Sequence, residues 1–414
     1  MKVIKYTYKF RLEPTQEQQI LLNKHFGSVR YVYNYFLNQR KTEYLENKKS
    51  ITYNQQAGHL TKLKVEMNWL KEINSQTLQY SLKCLDMAYQ GFFNKRTKFP
   101  NFKSKRNKNS FTIPQFLSIK KDMLYIPKFR EGIEMVMERK INGVVKRATI
   151  SKTSTGKYFV SILTENEYQP VSKTTQSVGI DLGIRDFLVL SNGTKIKNHR
   201  FLKHYERILV ENQKYLSRKA KQSNRYEKQR LKVARIHEKI TNSRMNLIHK
   251  TTTNLINQFD TIYLEDLNVK GMMKNHKLAK AIGDVSWSKF IDVLEYKANW
   301  NDKQFIHIDR FFPSSKSCNK CGWINNQLTL KDRNWTCPEC NSIHDRDFNA
   351  AINILNEGYR KNIFGEAEFL HSRISDGTSD YERGAKISPT SVGTSYETLK
   401  EKDHIVPEAT SHLV

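Results

Sequence analysis

The sequence predicts a two-part α/β chain: an N-terminal β-barrel split by a helical insert, then an α/β half interrupted by a metal-held insert. Three observations predict it. Short alternating segments bounded by turn residues recur through residues 111–170 and match a first strand at 1–12. From Val178 onward, apolar strand starts are separated by long helical periods. Four of the five cysteines form two C-x₂-C pairs inside that second half.

At the N-terminus Tyr6, Tyr8, Phe10 and Leu12 alternate with Lys5, Thr7, Lys9 and Arg11. This period of two reads as a half-buried strand and lacks the apolar region of a signal peptide. Pro14 and Thr15 lead into a helical insert over 13–110, with a stripe through Leu21, Leu22, Val29, Val32, Tyr33, Phe36 and Leu37. A second helical pattern runs from about Trp69 to Phe93. Residues 94–108 then carry Lys95, Arg96, Lys98, Lys103, Lys105, Arg106 and Lys108, with Phe99 and Phe102 interleaved and no acid. That pattern suits phosphate contact, and Lys103, Lys105 and Arg106 are the candidates.

Strands resume at Met123–Ile126, Ile133–Met137, Ala148–Ile150 and Tyr158–Ile162, punctuated by Asn142-Gly143 and Thr155-Gly156. Residues 171–177 are polar and read as a linker. A hairpin follows over Val178–Leu190, with Asn192-Gly193 as a turn. A helical stretch from about Lys203 to Phe259 holds 14 cations against four acids over 203–250, a face suited to a nucleic-acid backbone. From about Gly358 the chain turns polar, and a disordered tail is expected over 358–414.

The 414 residues imply roughly two to three domains. A net charge of +29 favours a polyanionic partner, above all nucleic acid, over a membrane surface. No apolar run is long enough to span a bilayer, and a cytoplasmic protein is expected. Paired cysteines then point to metal rather than disulfides. The leftover Cys84, in Leu82-Lys83-Cys84-Leu85, reads as a buried small hydrophobe.

Cys318, Cys321, Cys337 and Cys340 suit one closed, structural tetrahedral Zn²⁺. Trp323 and Trp335 are expected to pack beside it. Three acids carry a sharper possibility. Asp181 lies in Gly179-Ile180-Asp181-Leu182-Gly183, Glu265 ends the apolar run Ile262-Tyr263-Leu264, and Asp347 opens a helix-like stretch. Such acids can hold two Mg²⁺ ions for phosphodiester hydrolysis. Each also has a plain alternative: strand-edge solvation for Asp181 and Glu265, helix capping for Asp347.

Several motifs, in order, resemble the TnpB family of transposon-encoded RNA-guided DNA endonucleases. They include Tyr8-Lys9-Phe10-Arg11-Leu12-Glu13-Pro14-Thr15, Phe99-Pro100-Asn101-Phe102-Lys103-Ser104-Lys105, Gly179-Ile180-Asp181-Leu182-Gly183, Leu264-Glu265-Asp266-Leu267, Phe312-Pro313-Ser314-Ser315-Lys316 and Asp345-Arg346-Asp347-Phe348-Asn349-Ala350-Ala351. The resemblance implies a RuvC-like, RNase H-fold nuclease over 178–311 and 343–357, with a zinc-ribbon-like insert at 312–342 and a wedge-like barrel at 1–12 and 111–170. It selects Asp181, Glu265 and Asp347 as the catalytic, Mg²⁺-binding acids, over Asp345 and Asp266. It implies a non-coding guide RNA from the transposon end and double-stranded target DNA as partners. One departure is Asn341, where the family usually has Gly.

For reading a DNA motif the candidates are Tyr53, Ser75 and Gln79, because Ser75 and Gln79 share a helix face and Gln pairs with adenine. Arg333 either stabilises a strained phosphate or pairs with an acid. The alternatives are an RNA-guided binder without cleavage, acting as a repressor or transposition regulator, and a DNA strand-transfer transposase. The sequence leaves the oligomeric state open.

Overall fold

The computed structural model describes residues 2–105, 109–329 and 331–375, with side chains through Asn362. Strand β1 (Lys2–Leu12) is followed by three helices, α1 (Gln16–Asn47), α2 (Tyr53–Glu66) and α3 (Ser75–Phe93). Thr15 and Thr52 open α1 and α2 with capping boxes completed by Gln18 and Gln55, which satisfies the first free amides of each helix. Six strands come next: β2 (Asn109–Ile113), β3 (Ser118–Lys120), β4 (Met123–Ile126), β5 (Phe129–Val136), β6 (Val144–Lys152) and β7 (Tyr158–Tyr168).

These strands form one antiparallel sheet in the order β2-β6-β7-β1-β5-β4-β3. β1 pairs with β7 over its whole length, from Lys2↔Tyr168 to Leu12↔Tyr158. The helices therefore interrupt the chain between β1 and the remaining strands of its sheet. Tyr8, Phe10, Phe111, Leu124, Ile133, Ile150 and Val160 bury against one another from nearly every strand. The pairing is a line, not a ring: among the described residues β2 and β3 remain its two ends. A second core, from Phe36 and Leu37 of α1, Leu60 of α2 and Leu78, Leu82 and Leu85 of α3, makes the helices a unit. Helix α2 has no counterpart in the sequence reading. Its buried residues are only Gln56, Leu60 and Leu63, too few to mark an apolar stripe.

The second half opens with β8 (Ser177–Leu182), β9 (Asp186–Leu190) and β10 (Lys195–Lys197), then α4 (Phe201–Ser217) and α5 (Asn224–Gln258). There follow β11 (Thr261–Glu265), α6 (Val269–Met272), α7 (His276–Val285), α8 (Trp287–Trp300) and β12 (Gln304–Ile308). The sheet order is β10-β9-β8-β11-β12. β8, β11 and β12 run parallel, while β9 and β10 meander antiparallel. The first turn of α4 lacks a side-chain cap of its own. Buried Asp284 supplies one, accepting from the Leu202 amide at 2.9 Å, and also pairs with Arg244 of α5 at 2.7 Å. Helices α5 and α8 cover one face of the sheet through Ile248, Leu255, Phe290 and Leu294.

A short hairpin, β13 (Asn334–Thr336) and β14 (Ile343–Asp345), leads into the last helix, α9 (Arg346–Ser375). Gly179 of β8 sits so close to α9 that a Cβ there would lie 2.3 Å from the Ala351 carbonyl oxygen. A Cβ on Gly358 would meet the Tyr263 ring at 2.1 Å. Glycine at both places is what lets α9 lie directly on β8 and β11. The described residues up to Gly358 form one compact unit. The expected disordered tail is corrected at its start: α9 continues through Ser375, because its helical run does not stop at Gly358. Residues 376–414 of that expectation lie outside the described residues.

The linker between the halves is pinned. The Asp260 carboxylate accepts from the amides of Thr174 at 2.9 Å and Thr175 at 2.7 Å, and from the ammonium of Lys303. The Lys303 side chain is only 1% exposed. Burial alone would raise the Asp260 pKa; the Lys303 and amide hydrogen bonds outweigh it and hold the pKa at about 2. A carboxylate depressed in the folded state contributes stability that is complete above its unfolded pKa of ~3.9 and lost as pH falls. Asp260→Asn is therefore expected to cost about 3 kcal/mol at pH 7 by stranding the Lys303 ammonium. In urea denaturation across pH the deficit should shrink below pH ~4 and be nearly gone by about pH 2.

Candidate active site and metal centre

Parallel pairing of β8 with β11 sets Ile180 opposite Leu264. The next residues along, Asp181 and Glu265, therefore stand side by side where the two strands approach their C-terminal ends. That is where open α/β sheets place ligands. Asp347 arrives from the first turn of α9, which Gly179 admits onto β8. All three side chains are half-buried.

Neighbouring Asp345 settles which acid caps the helix. Its Oδ1 accepts from the Phe348 amide at 3.0 Å, and its other oxygen pairs with Lys195 at 2.6 Å. Asp347, freed from capping, instead takes Arg346 at 2.9 Å and Arg333 at 3.2 Å. Glu265 accepts from the Ser314 hydroxyl. Its neighbour Asp266 turns out to Arg310 on the surface.

The electrostatics bind these groups into one site. Burial, then the charges of Glu265, Asp347 and Asp345, push the Asp181 carboxyl well above the usual range, against a weaker pull from Arg346. Burial also raises Glu265, and the Ser314 hydrogen bond opposes it. Hard carboxylate oxygens from three elements, short of positive charge, fit a divalent cation such as Mg²⁺. They are more loosely set than the cysteines, the sole group among the described residues whose ligand atoms all lie within 4.8 Å of one another.

The cysteines are held by two matching turns. The Gly322 amide donates to the Cys318 carbonyl and the Asn341 amide to the Cys337 carbonyl, both at 2.9 Å. Gly322 and Asn341 each take a positive φ, 81° and 55°. Asn tolerates that conformation, so the departure at 341 leaves the turn intact. Sulfur–sulfur distances of 3.6 Å for Cys318–Cys340 and 3.5 Å for Cys321–Cys337 approach the ~3.8 Å edge of a tetrahedral Zn–S₄ site. The donor set fits zinc with no open position. Trp323 and Trp335 pack against the cluster. Sequence reasoning missed His344, whose Nε2 lies 3.1 Å from the Cys318 sulfur. It also missed Asn349 and Asn353, both buried in α9. Their signal was present: two polar residues at helical spacing on a face otherwise made of Ala350, Ile354 and similar residues.

The nucleic-acid candidates lie in the helical insert. Ser75 and Gln79 are exposed together on α3, with Ser75 bonded to Lys64 at 2.6 Å. Tyr53 packs against the helical core instead. Lys103 places its ammonium 3.8 Å from the centre of the Tyr33 ring, and Lys105 is exposed. Arg106 lies outside the described residues. Cys84 is half-buried, and burial raises its thiol pKa, consistent with a packing role. Among the described residues no helix is long and apolar enough to cross a membrane.

Three family models match: one described as "Helix-turn-helix domain" at residues 1–49, "Probable transposase" at 159–276 and "Cas12f1-like, TNB domain" at 287–354. A "Putative RNA-guided DNA endonuclease" of Streptomyces pristinaespiralis is 38% identical over 373 residues, covering 88% of this chain and 92% of the relative. "Putative RNA-guided DNA endonuclease InsQ" of Escherichia coli (strain K12) is 32% identical over 379 residues, covering 87% and 94%. The solved structure of a mini-RNA-guided endonuclease, CRISPR-Cas phi3, superposes with a TM-score of 0.42 at 10% identity over 86% of this chain and 92% of that one, too loosely to fix residue correspondences.

Two outcomes follow from this geometry. A carboxyl raised in the folded state weakens folding as pH climbs above its unfolded value of ~3.9. Asp181→Asn should therefore raise the melting temperature of metal-free protein at pH 7, with the gain fading toward pH 4; scanning calorimetry reads both. Cys337→Ser should drop zinc below one ion per chain by atomic emission and lower the folded yield, since the site holds its module together.

Proposed function

The chain belongs to the TnpB family, whose curated relatives carry the endonuclease names given above, and from that premise we propose that it cleaves DNA under the direction of a guide RNA. The observation that carries the hydrolytic part is the convergence of Asp181, Glu265 and Asp347, from β8, β11 and α9, into one electrostatically coupled group. The strand order, three parallel strands extended by an antiparallel meander, supports an RNase H-like reading of this half. Two Mg²⁺ ions held there would supply an activated water and stabilise the leaving 3′ oxygen.

The chain's own residues then have distinct work. Pairing of β8 with β11 keeps Asp181 and Glu265 adjacent, so the oxygens need no search for one another. Arg346 and Arg333 orient Asp347 and offset its charge. The cationic helices α4 and α5 and the segment through Lys103 and Lys105 offer sequence-independent phosphate contact. Base pairing between guide and target reads the sequence, while the protein reads a short adjacent duplex motif. Of the three candidates named for that reading, Ser75 and Gln79 are the exposed ones. The guide is a non-coding RNA from the end of a transposon.

Purification from cells carrying the flanking DNA, followed by sequencing of the bound RNA, tests the partner. One discrete species is expected; heterogeneous RNA stripped by salt would overturn it. With that RNA bound, Asp181→Ala should abolish cleavage of a matched duplex while leaving RNA-dependent binding in a gel shift. Full cleavage by this variant would remove the triad assignment.

A further inference from the structure

We infer that Ser314, held in place by Asn353, is a positioning residue for Glu265, and that the zinc module is thereby the strut that fixes Glu265 relative to Asp347. The inference rests on the hydrolytic reading above. Among the described residues, the Ser314 hydroxyl is the side-chain group that donates to the Glu265 carboxylate. Ser314 is buried and lies four residues before the first zinc cysteine. Without that bond the Glu265 side chain has free rotamers at a strand end.

Ser314 is itself fastened to the helix that carries Asp347. The Asn353 amide donates to the carbonyls of Ser314 at 2.8 Å and Ser317 at 2.6 Å. One turn earlier, the Asn349 amide donates to the Ser317 carbonyl at 2.7 Å, and its oxygen accepts from the Asn319 amide at 3.0 Å. Both asparagines are buried, so these bonds have no water to replace them. The far side of the module is tied as well: Arg333, just before β13, pairs with Asp347, and its carbonyl accepts from the Arg346 amide at 2.7 Å. The path from Glu265 through Ser314 and Asn353 down α9 to Asp347 is thus an unbroken run of directed contacts, and the first cysteine turn is tied to the same helix through Asn349. Residues that orient a cation's ligands commonly matter 10–100-fold to affinity or rate.

The test uses the full chain with its bound RNA and four variants: Ser314→Ala, Ser314→Thr, Asn353→Ala and Glu265→Gln. Four quantities are read: zinc content, target binding by gel shift, single-turnover cleavage and Mn²⁺ affinity by titration calorimetry. Ser314→Ala should keep one zinc and wild-type target binding, yet lose about 10–100-fold in cleavage rate and in Mn²⁺ affinity. Ser314→Thr, which keeps the hydroxyl, should restore most of both, and Asn353→Ala should reproduce the Ser314→Ala pattern. If Glu265→Gln abolishes cleavage while Ser314→Ala matches wild type in rate and Mn²⁺ affinity, the positioning role is wrong and the hydrolytic site stands. If Ser314→Ala loses zinc, Ser314 serves only the module's fold and the inference fails. If Glu265→Gln cleaves normally, the hydrolytic reading falls and takes the inference with it.

Discussion

Asp181, Glu265 and Asp347 crowd together at the C-terminal ends of β8 and β11, and the second half of the molecule is arranged to hold them there. Burial raises the proton affinity of both Asp181 and Glu265, and at Asp181 the neighbouring carboxylates add to it. Each acid is consequently fixed by a different kind of restraint. Asp181 is set by strand pairing, Glu265 by pairing plus one hydroxyl, and Asp347 by two guanidinium groups on a helix whose N-terminus favours an acid. A site held this way is less stable empty than it could be, the usual trade between function and stability.

The same constraint accounts for the two glycines beneath α9. A helix can bring Asp347 to Asp181 only if its backbone lies against β8, and any side chain at 179 would collide with the Ala351 carbonyl. It also gives the zinc module a place. The 312–342 segment delivers Ser314 to one acid and Arg333 to another, so its rigidity is useful exactly where the acids need spacing rather than elsewhere on the surface. A closed four-sulfur site suits such a mechanical task, since no ligand position is left for chemistry.

The two halves are joined at several points, among them the pairing of Lys157 with Glu238 of α5 at 3.0 Å. Asp260 gathers the linker amides and Lys303, and Tyr168 at the end of β7 reaches Asn301 at 2.9 Å. The antiparallel sheet pairs β1 with a strand about 150 residues further along the chain, and the helical insert between them has its own core.

Much of this was written in the sequence because it depends on local pattern. Alternation placed β1 and the later strands, helical period placed α1, α3, α4 and α5, and cysteine spacing singled out the four sulfurs that the fold brings together. The three acids were visible as candidates, each beside an apolar strand or a helix start. What the sequence by itself could not decide was which acids belong together. Asp345 and Asp347 are two residues apart and chemically alike, yet one caps a helix and the other faces Asp181, because only the packed start of α9 separates their directions. The roles of Ser314, Asn349, Asn353 and His344 were likewise settled only in three dimensions. Spacing can mark a hydroxyl or an amide as out of place on an apolar face, but its partner is fixed only when folding buries it and removes its water.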